Sequence, residues 1–209
     1  MSIAQLLVHA ARSELADWKA GQLVECVKDP KTNKPIGNPA AQPGSKKVAR
    51  YWREGLGDHQ RNGCTEVAWS AAFICWCLRQ AGVALDRFPF NAGHHTYIRW
   101  AINNSKADKA GKLYYGMRIA EYQPKPGDLV AQWRKAKPGG PDPDISYDHQ
   151  PDDFYPSHCD IVVDVQPHRI TVIGGNLSNR VKESRLLAQD GILEPKKELV
   201  AVLKLADDA

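Results

Sequence analysis

The stretch Trp69-Ser70-Ala71-Ala72-Phe73-Ile74-Cys75-Trp76-Cys77-Leu78-Arg79-Gln80-Ala81-Gly82 decides how this chain is read. Ala71 to Leu78 is apolar without interruption, the pattern of a helix buried on every side rather than along one stripe. Its first turn carries a hydroxyl, Ser70, directly after a loop containing Asn62, Gly63 and Cys64. The first turn of a core helix offers free backbone N–H groups and the positive end of the helix dipole, and both stabilise negative charge. Ser70 is therefore a candidate nucleophile. Serine is also a favoured helix N-cap, so both roles stand open.

Outward from this helix the chain falls into two halves. Ile3, Leu6, Leu7, Ala10, Ala11 and Leu15 recur at helical spacing and predict an amphipathic first helix. Val27 to Lys47, rich in Lys, Pro, Asn and Gly, reads as a loop. Val48 to Trp52 begins a short helix that ends in Gly55-Leu56-Gly57. His94 to Ile102 resumes helical spacing after a turn at Pro89 to Gly93. The period then changes. Leu129 to Trp133 reads as a strand, Ile161–Val165 and Ile170–Ile173 as a hairpin, and Leu199–Leu205 as a last strand. Helices first and strands second predict an α+β fold, a helical N-terminal half packed on a small antiparallel sheet. Residues 1–209 are expected to form a single domain, with an N-terminal helix and loop over 1–47. The Pro/Gly/Asp-rich segment 134–157 is a lid-like insertion with little to pack.

The chain has 209 residues and a formal charge of +4, with acids and bases interspersed, so nothing marks it as a nucleic-acid binder. No apolar run reaches the roughly 18 residues needed for a membrane span. The N-terminus lacks a basic region followed by a continuous apolar one, so a secretory signal is not expected and synthesis is assigned to the cytoplasm. The five cysteines Cys26, Cys64, Cys75, Cys77 and Cys159 show no paired zinc spacing, and their odd number argues against a disulfide framework. Cys75 and Cys77 read as core residues. No metal or other cofactor is expected.

Acyl transfer needs a nucleophile, a histidine to take its proton and a polar group to hold the imidazole. His158 stands just before the strand Ile161–Val165. If Val165 pairs with Ile170, a one-residue adjustment at a bulge brings Asn176 beside His158. Ser70, His158 and Asn176 are the catalytic candidates. Cys64 is the rival nucleophile, because a thiolate forms more readily than an alkoxide. Glu66, His95 and Asp160 are possible supporting residues; Glu66 shares the Ser70 face only if the helix begins early. Their spacing with His158 matches no zinc pattern. His94 and His95 head a helix and read first as structural histidines. The acids of the insertion lack calcium-loop spacing.

In order along the chain, Tyr51-Trp52, Trp69–Gly82, Pro126-Gly127-Asp128-Leu129-Val130, His158-Cys159-Asp160-Ile161-Val162-Val163 and Ile173-Gly174-Gly175-Asn176 resemble the NlpC-type and CHAP-type papain-like cell-wall hydrolases. Trp-Ser-Ala-Ala-Phe stands where many of them have Trp-Cys-Ala-Ala-Phe. The resemblance implies a papain-like fold, with Ser70 at the nucleophile position, His158 as base and Asn176 as orienting residue. It also implies cleavage of amide bonds in peptidoglycan. Similar branches occur among phage lysins and antibacterial toxins delivered by contact-dependent secretion, such as type VI systems. That implies action in the periplasm of target cells, with a secretion-apparatus component and an immunity protein as partners. Serine in place of cysteine also leaves open a serine esterase or acyltransferase on lipid or protein, and a non-catalytic binding module that keeps the cleft.

Overall fold

The computed structural model describes residues 1–207. Helix α1 (Ile3–Ala20) opens on a capping box, in which Ser2 Oγ accepts the Gln5 N–H and the Gln5 side chain accepts the Ser2 N–H. It buries Leu7, Ala11, Leu15 and Trp18, as the spacing predicts. Helix α2 (Pro43–Leu56) begins earlier than expected, inside the predicted loop. Pro43 suits the first turn, where its missing N–H costs nothing, and Gly57 ends the helix at φ 72°. Helix α3 (Ser70–Gln80) is buried from Ser70 through Leu78. Helix α4 (His94–Lys106) completes the helical half.

One buried carboxylate joins the first two helices. Glu14 of α1, 3% exposed, accepts from Lys47 Nζ, Arg50 and the Tyr51 hydroxyl of α2. Trp18 Nε1 donates to the Tyr51 oxygen at 2.7 Å.

The sheet is larger than the sequence implies. Its strands are β1 (Tyr114–Met117), β2 (Leu129–Trp133), β3 (Ser157–Gln166), β4 (Arg169–Gly174), β5 (Lys182–Gln189), β6 (Ile192–Leu193) and β7 (Leu199–Leu205). They lie in the order β1-β7-β2-β3-β4-β5-β6, every pairing antiparallel. The chain is thus α+β. Strand β5 was not legible because Lys182-Glu183-Ser184-Arg185 lacks an apolar stripe; pairing with β4 along Arg169–Gly174 makes it a strand. One sheet face packs under the helices, and a second apolar cluster, including Val130, Val162, Val172 and Leu193, covers the other.

Two expectations are corrected. Cys26 and Cys64 form a disulfide. The odd count misled because the other three cysteines are simply buried core residues. The pairing follows from a close backbone approach: a Cβ on Gly63 would lie 2.1 Å from the Glu25 carbonyl oxygen, so only glycine lets the two loops lie side by side. The 134–157 insertion also has more to pack with than its composition implied. Ile145 and Tyr155 enter the main core, the Tyr147 hydroxyl donates to Gly116 O at 3.0 Å, and Arg118 grips Asp148 with two hydrogen bonds of 2.7 and 2.6 Å.

Candidate active site

A cleft of about 680 Å³ opens where the N-termini of α3 and α4 meet one edge of the sheet. Ser70, His94, Arg134, His158, Asn176 and Lys182 line it, with Phe154, Pro156 and Ser157 from the end of the insertion as a wall. Ser70 is the first residue of α3, and the N-cap is Trp69, which makes no side-chain cap bond. The N-cap role is thereby removed from Ser70, whose hydroxyl is not engaged as a cap. Trp69 is held in turn by its indole N–H, which donates to Glu25 beside the disulfide.

Ser70 Oγ lies 2.6 Å from His94 Nε2, and His94 Nδ1 meets the Tyr97 hydroxyl one turn along α4. His94 is 3% exposed. Burial first, then the charges of His158, Arg134 and His95, hold its pKa well below 6.5, so the ring is neutral. The Tyr97 hydroxyl has no other partner among the described residues, and a buried O–H without an acceptor is costly. Tyr97 therefore donates to Nδ1, and neutral His94 carries its proton on Nε2 and donates it to Ser70 Oγ. In that tautomer His94 holds the serine oxygen but cannot take its proton.

The neighbouring ring has a different partner. His158 lies 5.3 Å from His94, centroid to centroid, and its Nε2 is 2.8 Å from Asp160 Oδ1. Both partners are nearly buried, and they face the same side of β3 because they are two residues apart on a strand. A carboxylate on one imidazole nitrogen fixes the tautomer and stabilises the imidazolium formed during proton transfer. His158 Nδ1, opposite that carboxylate, has no protein partner among the described residues.

The expected role of Asn176 is corrected here. Val165 pairs with Ile170 and a bulge shifts the register between Val162 and Asp164, which carries Asn176 to the cleft. The residue within hydrogen-bond distance of His158 is nonetheless Asp160. Asn176 lies past the end of β4 in the left-handed region, at φ 58°, and Gly174 leaves the space that Asp160 fills. A Cβ on Gly174 would stand 1.8 Å from Asp160 Oδ1.

The remaining candidates are dispersed. Cys64 is locked in the disulfide. Glu66 precedes α3 in an irregular segment, its side chain 80% exposed and paired with Lys28. His95 turns away to pack on Phe154 and Tyr155. Among the described residues no group of three or more His, Cys, Asp or Glu side chains is placed to hold a metal ion.

A family profile, DUF2272, described as an uncharacterized protein conserved in bacteria, matches residues 35–201. The chain belongs to the DUF2272 family. Comparison with curated proteins and with solved structures gave no match. In this DUF2272 member the matched segment holds every cleft residue named above, whereas α1 and Cys26 lie before it. His94 and Tyr97, the pair that reaches Ser70 Oγ, were missed by sequence reasoning. The signal was present: residues three apart on a helix share a face, so a tyrosine three positions after His94 reaches the same ring.

Proposed function

We propose that this protein is a serine-dependent hydrolase of the papain-like, NlpC-type class, cleaving amide bonds in peptidoglycan. The observation that carries this is Ser70 at an uncapped core-helix N-terminus, with the His158–Asp160 pair one ring away. Ser70 Oγ attacks the scissile carbonyl while His158 Nδ1 takes its proton, a contact made in the substrate complex. Asp160 steadies the imidazolium. His94 Nε2–H holds Oγ in place, and the backbone N–H groups of the first turn of α3 stabilise the developing oxyanion. His158 returns the proton to the leaving amine. Water then attacks the acyl-serine, with His158 again as base, and restores the hydroxyl.

The Cys26–Cys64 disulfide supports action in an oxidising compartment. Together with the resemblance to delivered toxins, it favours the periplasm of target cells, with an immunity protein as the expected antagonist. Purified protein incubated with cell-wall sacculi should release soluble fragments carrying new amino and carboxyl termini, and Ser70→Ala should release none. Absence of cleavage by the wild-type protein from acid to alkaline pH would sink the proposal. A serine esterase is the second reading, favoured by the hydroxyl nucleophile itself; labelling of Ser70 by a fluorophosphonate, with sacculi left intact, would select it.

A further inference from the structure

Charge around the cleft is one-sided. Its lining includes Arg134 and Lys182 and no carboxylate among the described residues. Asp160, behind His158, is engaged by that ring and by Gln132 Nε2 at 3.3 Å. Elsewhere on the surface cations find acids, as Arg118 does with Asp148, and Lys135 and Lys197 with Asp142. Arg134 and Lys182 stand in no such pair among the described residues.

Topology brings the two cations to the same edge. Arg134 follows Trp133, which pairs with Ser157 at the start of β3. Lys182 opens β5 and pairs with Gly174 at the end of β4. His158 lies between them on β3. Arg134 and Lys182 are three strand spacings apart across the sheet, roughly 14 Å at about 4.8 Å per spacing, and about four residues apart along it, roughly 13 Å at about 3.3 Å per residue, so one extended substrate running diagonally past Ser70 meets both. The guanidinium fork matches a carboxylate through two parallel hydrogen bonds, and the ammonium adds a point charge.

We infer that Arg134 and Lys182 form a subsite selecting acyl substrates that bear free carboxylates close to the scissile bond. The inference rests on the hydrolase reading for its site, but not on turnover for its test. Soluble stem peptides with free carboxylates, and the same peptides with those groups converted to carboxamides, are titrated calorimetrically into the Ser70→Ala protein. The carboxylate peptides should bind about tenfold or more tightly, as expected for charge-assisted hydrogen bonds. Arg134→Gln and Lys182→Gln, each added to Ser70→Ala, should each shrink that preference, and the two together should abolish it. Arg185→Gln, which removes a cation on β5 outside the cleft, should preserve it. Equal affinity for the two peptides, binding of neither, or a preference that survives the double substitution overturns the inference. The sacculus assay fails or succeeds independently, because this measurement needs no catalysis.

Discussion

At the scale of single residues, the site turns on two histidines with different neighbours. His94 has a phenol and a serine, whereas His158 has a carboxylate. The carboxylate beside His158 is what the proposed base role rests on, although His94 is the ring touching Ser70. The neutrality of His94 has a consequence for stability. Its folded pKa lies well below the 6.5 of a free histidine, chiefly through burial. Above pH 6.5 neither state binds the proton and His94 contributes no pH dependence. Below it the unfolded chain takes up a proton that the native ring refuses, so stability falls with pH. Urea unfolding at pH 7.5 and pH 5.5 should show this loss in the wild type and a smaller one in His94→Gln. Parallel losses would mean that native His94 binds the proton as readily as the unfolded chain.

At the scale of elements, the ends of β4 and α3 are built to fit the pair on β3. Gly174→Ala places a methyl group where Asp160 Oδ1 lies and within 3.1 Å of His158 Nε2. The carboxylate must then leave the imidazole, and turnover should fall by about 10²–10⁴-fold, the contribution of a well-placed general base. Circular dichroism should remain near wild type; unchanged turnover would remove Asp160 from the mechanism. The disulfide braces the other rim. It closes a 38-residue separation and fixes Glu25 against Trp69, the residue preceding Ser70. Cys64→Ser should cost about 2–4 kcal/mol in unfolding free energy. Iodoacetamide should leave activity untouched, because Cys75, Cys77 and Cys159 are buried and Cys64 is not a thiol. Inactivation by alkylation would reopen the choice of nucleophile.

At the scale of the whole molecule, the sheet is closed by a buried carboxylate far from the cleft. Asp128 accepts the Leu205 N–H at 2.8 Å and the Lys125 N–H at 2.7 Å, tying the start of β2 to the end of β7. Burial raises its pKa from 3.8 to about 6, outweighing those hydrogen bonds. A carboxyl raised in the native state favours folding most below pH 4, and that advantage is lost as pH rises through about 6. The loss amounts to about 3 kcal/mol at 1.36 kcal/mol per pKa unit. The stability difference between wild type and Asp128→Asn should therefore shrink by about that amount between pH 4 and pH 7. A difference that stays constant would place the titration elsewhere.

Much of this was legible in local pattern. Periodicity placed α1, α3 and α4 because a helix writes its buried face into residues three and four apart. Alternation and β-branching placed β2, the β3–β4 hairpin and β7 for the same kind of reason, and Ser70 and His158 followed from their positions at the ends of those elements. What the sequence could not determine depends on partners distant along the chain. Strand β5 exists because β4 pairs with it, and Cys26 meets Cys64 because Gly63 lets two backbones touch. The choice of Asp160 over Asn176 was decided by the left-handed turn after Gly174-Gly175 and the space that Gly174 leaves. His94 reached Ser70 only when α4 packed beside the start of α3. Sequence by itself determined which polar side chains stand at the ends of helices and strands; tertiary packing decided which touch, because contact across a fold is set by the summed geometry of elements that no local window contains.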